Sequence, residues 1–127
     1  MLVANVPGVN ARSVAEHVLL SMLQLARHTA PMAARLHGRG KGKGHAGWAS
    51  ARSLADMGFE LDGRSVGLIG YGHVGRAIAR MCSQGLGMQV LAHTRSALSD
   101  GASWATRVPL RELLQRSDFV VLACPLT

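Results

Sequence analysis

A chain of 127 residues can hold one domain or part of a larger one, and its 48% hydrophobic content is typical of a folded globular protein. No apolar run reaches the length of a membrane span, and the N-terminus lacks the basic and apolar regions of a signal peptide. The net charge is +7, but Arg35, Arg39, Lys41 and Lys43 lie in one glycine-rich segment without interleaved aromatic residues. That pattern favours a solvated loop over a nucleic-acid-binding tail.

The chain is predicted to begin with a hinge segment, residues 1–12, that leads into a domain covering residues 13–127. Ser13 is predicted to cap the first helix, because Glu16 follows it at the spacing of a capping box. Apolar residues then recur at helical intervals, and Pro31 predicts that this helix ends just before it.

The next segment is predicted to be mostly irregular. From residue 31 to 48 the composition is small, basic and glycine-rich, which indicates a helix remnant followed by a loop. Turn residues at Gly58 and at Asp62-Gly63 predict an irregular stretch over 54–63.

A strand, a glycine turn, a helix and a second strand are predicted to follow. Apolar runs predict the strands at Ser65–Ile69 and Gln89–His93, and helical spacing predicts the helix from Arg76 to Leu86. The turn, Gly70-Tyr71-Gly72-His73-Val74-Gly75, fits G-x-G-x-x-G. A chance glycine turn is the alternative in a chain with 15 glycines, but the flanking elements favour a dinucleotide site.

Each glycine of the turn has a predicted role. Gly70 makes the tight turn, Gly72 lets a pyrophosphate approach the backbone, and Gly75 allows the helix to pack closely on the strand. The unpaired N–H groups at the helix N-terminus then face the anion.

The remaining elements complete an alternating pattern. A polar loop is predicted over 96–103, a short strand over 104–108, a helix from Pro109 to Gln115 and a strand covered on both faces at Phe119–Ala123. The alternation predicts an α/β fold, a Rossmann-type doubly wound parallel sheet truncated after its first half. Its C-terminal edge should then expose apolar surface and unpaired backbone.

The two cysteines, Cys82 and Cys124, have no metal-ligand spacing, and no metal site is predicted. We interpret them as buried thiols of a protein in the reducing cytoplasm.

Three blocks of sequence resemble the cofactor-binding domain of the D-isomer-specific 2-hydroxyacid dehydrogenases. The first is Asn5-Val6-Pro7-Gly8-Val9-Asn10 followed by the segment 13–17, and the second runs from Gly58 through the glycine turn to Arg76. The third runs from Leu110 to the strand that ends in Cys124-Pro125-Leu126-Thr127. Their order and spacing are far more specific than the glycine turn alone.

The resemblance implies an oxidoreductase that transfers hydride between NAD(P)H and a small 2-oxo or 2-hydroxy acid. In this family the cofactor domain is inserted into a substrate domain, and the catalytic Arg, Glu and His follow the Cys-Pro-Leu-Thr segment. We therefore assign no catalytic residue, and the 127-residue chain alone is expected to be inactive.

The resemblance also implies contacts with the ligands. His73 and Val74 match positions that meet the pyrophosphate, although His73 can equally be read as a solvated turn residue. Cys124 and Pro125 match positions beside the adenosine, where Cys124 can also be a buried thiol without a ligand. Asn10 matches a substrate-binding asparagine of the related formate dehydrogenases, against the simpler role of a turn or helix-capping residue.

The full-length protein is expected to be a homodimer. In the family, the helix beginning near Ser13 and the segment around Trp48 contribute to a two-fold interface. Met22, Leu23 and Trp48 are the candidate contacts, and the alternative is that all three complete the core of one chain.

The end of the second strand predicts the choice of cofactor. An NAD-preferring fold usually places Asp or Glu there to accept from the ribose 2′-OH. Here the residues are Thr94, Arg95 and Ser96, with no carboxylate within four residues of Thr94. Arg95 can pair with a 2′-phosphate, so NADP is predicted to be preferred, with NAD possible; a solvated Arg95 is the alternative.

Two other functions share this fold. One is the NAD domain of an adenosylhomocysteinase-like enzyme, which the helix at Val14-Ala15-Glu16 and the Cys-Pro-Leu-Thr segment do not favour. The other is a non-catalytic dinucleotide sensor that resembles the C-terminal-binding-protein corepressors. The catalytic Arg, Glu and His in the sequence that follows would separate an enzyme from a sensor.

Overall fold

The computed structural model describes residues 6–37, 45–95, 98 and 104–124. In chain order the elements are α1 (Ala11–Ala26), α2 (Thr29–Leu36), α3 (His45–Ala55), β1 (Ser65–Ile69), α4 (His73–Arg80), β2 (Gln89–His93), β3 (Thr106–Arg107), α5 (Leu110–Arg116) and β4 (Phe119–Leu122). A π-helical turn, Met81–Gly85, follows α4. None of the described helices combines the length and the apolar character that a membrane crossing requires.

The described strands form one parallel sheet of four strands in the order β3-β2-β1-β4. Val66 of β1 pairs with Val90 of β2 on one side and with Phe119 of β4 on the other. This is the order of the first four strands in a dinucleotide-binding fold. The predicted α/β Rossmann-type sheet is confirmed.

β1 is central and buried, as its apolar sequence predicts. Val66 and Leu68 are fully buried, and so is Leu113 of α5. A side chain at Gly67 would collide with Leu113 and Ser117, so the glycine lets α5 lie directly on the strand. α5 is thereby held against the middle of the sheet.

The starts of β1 and β4 are joined by a polar network. The Asp118 carboxylate accepts hydrogen bonds from the Ser65 N–H and hydroxyl, each at 2.8 Å, and pairs with Arg64 at 3.4 Å. These bonds favour the ionised form, and the backbone bond from Ser65 is the main cause of the lowered Asp118 pKa. The ionised carboxylate therefore links the first residue of β1 to the residue that precedes β4.

The predicted start of the first helix is wrong. α1 begins at Ala11, and the Val14 N–H already donates to the Asn10 carbonyl at 3.0 Å. Ser13 therefore lies inside the helix, and Glu16 pairs with Arg12 at 3.0 Å instead of completing a capping box. The turn over residues 7–10 leads straight into the helix, which moves its start ahead of Ser13.

The predicted end of that helix is also wrong. α1 ends at Ala26, His28 adopts a left-handed conformation with φ of 52°, and α2 begins at Thr29. Pro31 lies in the first turn of α2, where a missing N–H removes no helical hydrogen bond. The proline thus marks the start of a second helix.

The region predicted as loop contains α3. Gly47 and the glycines before it indicated irregular structure, but Ala51 is 2% exposed and fixes one face of a helix that continues to Ala55. The irregular stretch is confirmed only after Ala55, with a turn before Phe59 and another at Asp62-Gly63.

The starts of α4 and α5, the length of β3 and the burial of β4 differ from the prediction in the second half of the chain. β3 covers only Thr106–Arg107 of the predicted stretch 104–108. α4 begins at His73, directly after Gly72, and Pro109 immediately precedes α5. β4 is not covered on both faces: Val120 is 45% and Leu122 74% exposed. β4 is an edge strand among the described residues, which agrees with the expected exposed apolar edge.

The chain divides into two compact units. Residues 1–19 and 62–127 form the unit with the sheet, and residues 20–61 form a helical unit in which α2 contacts α3. The boundary placed at residue 12 from the sequence stays a prediction.

Candidate dinucleotide site

A cleft of about 1050 Å³ opens at the carboxyl ends of β1, β2 and β4. Its position is set by the strand order. From β1 the chain adds β2 and β3 on one side of the sheet and then crosses to add β4 on the other side of β1. Ligands of open α/β sheets bind at such a switch point. The cleft is lined by Gly8, Asn10, Val14, Ile69, Gly70, Tyr71, Gly72, His73, Val74, Arg76, His93, Thr94, Arg95, Leu122, Ala123 and Cys124.

The structure therefore brings most of the predicted site residues to one place. Gly75 lies just behind the cleft, in the first turn of α4. Ser96 and Pro125, predicted beside the adenosine, lie outside the described residues. Their binding roles, like those of the lining residues, stay predictions.

Gly70 can only be glycine in this backbone. Its φ of 103° disfavours any side chain, and a Cβ would lie 2.7 Å from the Ala123 carbonyl oxygen and 2.8 Å from the Cys124 nitrogen. The Gly70 N–H donates to the His93 carbonyl at 2.9 Å. This glycine thus ties the turn to the ends of β2 and β4.

Gly72 and Gly75 differ in what surrounds them. A Cβ on Gly75 would lie 2.5 Å from the Gly70 carbonyl oxygen, so Gly75 allows α4 to approach the turn. A Cβ on Gly72 would meet nothing within 4 Å and would project into open space. The first helical bond runs from the Arg76 N–H to the Gly72 carbonyl, which leaves the earlier N–H groups of α4 without helical partners.

Cationic side chains line the cleft, and the described lining residues include no carboxylate. Arg76 and Arg95 carry full charges, and His73 and His93 add ring nitrogens. Sequence reasoning missed Arg76, although its position directly after the third glycine was a usable signal. The set of side chains suits a ligand with several negative charges.

His73 has a defined environment. Its Nδ1 lies 3.5 Å from Nη2 of Arg76, which can only donate, so this geometry assigns Nδ1 as acceptor and Nε2 as the protonated nitrogen. A Cβ on Gly8, whose φ is 79°, would lie 2.8 Å from Cγ of the ring, so the backbone there packs against the imidazole. The imidazole thus contacts both the Arg76 guanidinium and the backbone of Gly8.

The end of β2 is held by the last residue of β3 and the residue that follows it. Nδ1 of His93 donates to the Val108 carbonyl at 3.3 Å, and the Val108 N–H donates to the Ala92 carbonyl at 3.0 Å. Nη2 of Arg107 donates to the Thr94 carbonyl at 3.0 Å and to the Arg95 carbonyl at 3.4 Å. Sequence reasoning did not single out Arg107.

The two cysteines differ, so the prediction of two buried thiols is only half right. Cys82 is fully buried in the helical segment after α4, and burial raises its pKa to about 11, which keeps it a neutral thiol. Cys124 is exposed and lines the cleft. Since β4 is an edge strand among the described residues, Leu122 and Cys124 stay exposed at its end.

Comparisons with known proteins agree on one family. Residues 19–127 match the family described as "D-isomer specific 2-hydroxyacid dehydrogenase, NAD binding domain". The chain is 36% identical to a glyoxylate reductase of Pyrococcus furiosus and 34% identical to a hydroxypyruvate reductase of Blautia hydrogenotrophica. Each match covers 98% of this chain but only 37% of the relative, so the chain spans little more than a third of their length.

The same family is found among solved structures. A D-lactate dehydrogenase of Lactobacillus jensenii, crystallised with NAD+, superposes with a TM-score of 0.78 at 26% identity. The match covers 100% of this chain and 36% of the dehydrogenase. The described cleft and the glycine turn belong to the part of the chain that these proteins share.

Proposed function

The chain belongs to the D-isomer-specific 2-hydroxyacid dehydrogenases, as their NAD-binding domain, and we propose that its cleft binds NADP(H) in preference to NAD(H). The supporting observation is the end of β2, where Thr94 and Arg95 line the cleft and the described lining residues include no carboxylate. A carboxylate would repel a 2′-phosphate and accept from a free 2′-OH. Arg95 instead attracts a 2′-phosphate and cannot accept a hydrogen bond from a free 2′-OH.

The pyrophosphate lies at the glycine turn in this proposal. Gly72 leaves room for the phosphates beside the unpaired N–H groups of α4, and the Nε2–H of His73 is oriented by its contact with Arg76. Val74 contributes its backbone N–H. The adenosine is proposed to lie between Thr94 and Arg95, which follow β2, and Cys124, which follows β4. The contacts predicted for Ser96 and Pro125 stay predictions.

Arg95 is expected to carry the preference. One charge-assisted hydrogen bond is worth about 1.5–3 kcal/mol, or roughly ten- to a hundredfold in affinity. Dissociation constants of the 127-residue chain for NADPH and NADH should differ by about that factor. Arg95→Ala should abolish most of the difference by weakening NADPH alone.

Arg111→Ala is the matched control, because it removes one positive charge from an exposed site in α5 outside the cleft. It should leave both dissociation constants unchanged. Equal affinities for the two cofactors, or a ratio that Arg95→Ala does not alter, would refute the preference.

We further propose that the whole protein reduces a small 2-oxo acid, with Asn10 near the substrate, since Asn10 lines the same cleft as the glycine turn. The P. furiosus relative is named a glyoxylate reductase, and the B. hydrogenotrophica relative is named a hydroxypyruvate reductase. The family match removes the adenosylhomocysteinase-like alternative. A cytoplasmic location is proposed as well, and the free cysteines Cys82 and Cys124 support it.

The 127-residue chain alone is proposed to be inactive.

The whole protein is also proposed to be a homodimer. Leu23 is 37% and Trp48 58% exposed in the helical unit, which also exposes Leu20 and Leu25. Met22 is 4% exposed, so its predicted role in the interface is wrong, because it packs inside its own chain. The remaining apolar surface is of the kind that a partner subunit covers.

Light scattering of the full-length protein at micromolar concentration should give the mass of a dimer. Trp48→Glu should shift the mass toward that of a monomer, since it places a charge in an apolar interface. Leu114→Glu, a matched change at a 53% exposed position of α5, should leave the mass unchanged. A monomeric wild-type protein would exclude the dimer.

A further inference from the structure

The backbone that presents Thr94 and Arg95 extends past the last pair of the β2–β3 ladder. That ladder pairs Leu91 with Thr106 and Ala92 with Arg107. The carbonyls of Thr94 and Arg95 are bonded instead by one side-chain nitrogen, Nη2 of Arg107, at 3.0 and 3.4 Å.

We propose that Arg107 is a positioning residue for cofactor choice: it fixes the backbone of Thr94 and Arg95 so that their side chains meet the 2′-phosphate. The proposal rests on the NADP preference proposed above. A guanidinium that bonds two successive carbonyls restricts the rotation of the peptide between them. It thereby reduces the loss of backbone conformational entropy that binding of the 2′-phosphate would otherwise require.

Arg107 acts on this backbone from outside the cleft. It does not line the cleft, whereas Thr94, Arg95 and His93 do. The same segment also braces β2 through Val108, which bonds Ala92 and His93. β3 therefore serves as a support for the end of β2, and Arg107 extends that support by two residues.

The test is a double-mutant cycle on the 127-residue chain with NADPH and NADH as probes. Arg107→Ala should weaken the binding of NADPH roughly tenfold and the binding of NADH less than twofold. The tenfold loss corresponds to about one hydrogen bond to a charged group. In a background that carries Thr94→Val and Arg95→Ala, the same change should alter the NADPH-to-NADH ratio by less than about twofold. Arg111→Ala again controls for loss of one charge.

The two readouts separate the possible failures. A wild-type ratio near one, or a ratio insensitive to Arg95→Ala, would refute the NADP preference itself. A ratio that collapses with Arg95→Ala but stays within twofold with Arg107→Ala would overturn the role of Arg107 alone. A tenfold effect in both backgrounds would also overturn it, because Arg107 would then act directly on the phosphate. Equal losses of NADPH and NADH would indicate a purely structural role.

Binding of adenosine 2′,5′-bisphosphate and of AMP gives an independent check without the nicotinamide half. Arg107→Ala should weaken the binding of the bisphosphate by the same factor as that of NADPH and leave the binding of AMP unchanged. A loss that appears only with the full dinucleotides would contradict the proposal.

Discussion

Replacing Gly72 by valine is expected to abolish dinucleotide binding while the chain stays folded. The new side chain would project into the open space in front of the first turn of α4, where the pyrophosphate is proposed to lie. Loss of the backbone contacts to the phosphates should weaken NADPH roughly a hundredfold or more, the value of about two charge-assisted hydrogen bonds. Isothermal titration calorimetry and thermal unfolding measure the two effects separately.

Two other glycines provide the controls for Gly72→Val. Gly85 is also surrounded by open space, but it lies at the end of the π-helical turn and does not line the cleft. Gly85→Val should therefore leave binding intact. Gly70→Val should unfold the chain, because it combines a positive φ with a backbone clash at Ala123. NADPH binding by Gly72→Val with unchanged affinity would contradict the proposed position of the pyrophosphate.

The sheet was predictable because its signals are local. β1 and β2 have the bounds predicted from the sequence, since each is a short apolar run that is followed by a glycine or polar residue, Gly70 after β1 and Thr94 after β2. Gly70 and Gly75 have the predicted close contacts for the same reason, and the role of Gly72 stays a prediction. A residue that must be glycine is recognised from its neighbours in sequence.

The helical unit was poorly predicted because its signals are ambiguous. Pro31 is compatible with the end of one helix or the first turn of the next, and the left-handed conformation of His28 decides between them. Ala51 becomes a core residue only once its helix has a neighbour to pack on, because the stability of a short helix comes mostly from tertiary packing. The alanine-rich sequence around it was the available signal.

The support at the end of β2 was invisible for a different reason. Arg107 lies 13 residues after Thr94 in sequence, and their contact depends on the strand pairing of β3 with β2. No local pattern distinguishes an arginine that bonds two carbonyls from one that is solvated. Residues of the glycine turn and of the end of β2 that line the cleft could be predicted from local sequence, whereas Arg107, which contacts them through the fold, could not.

The 127-residue chain is expected to bind NADPH without turning it over. Hydride transfer to a 2-oxo acid requires an acid to protonate the developing alkoxide and a cation to hold the carboxylate. The family resemblance places those groups after the Cys-Pro-Leu-Thr segment, and the chain spans 37% of the P. furiosus glyoxylate reductase.

We expect that the two histidines of the described cleft do not replace that acid. His73 lies at the glycine turn, with Nδ1 directed to Arg76 and the ring against Gly8. His93 donates its Nδ1–H to the Val108 carbonyl and belongs to the proposed adenosine end of the cleft. Each is therefore engaged in holding the cofactor site together.

NADPH absorbance with glyoxylate, hydroxypyruvate or pyruvate should accordingly fall no faster than in a blank without protein. Calorimetry on the same sample should show saturable NADPH binding, so that inactivity is not mistaken for misfolding. A full-length glyoxylate reductase serves as the positive control for the assay. Reproducible oxidation that Gly72→Val abolishes would show that this chain carries catalytic groups of its own, and the assignment of its histidines to cofactor binding would then be wrong.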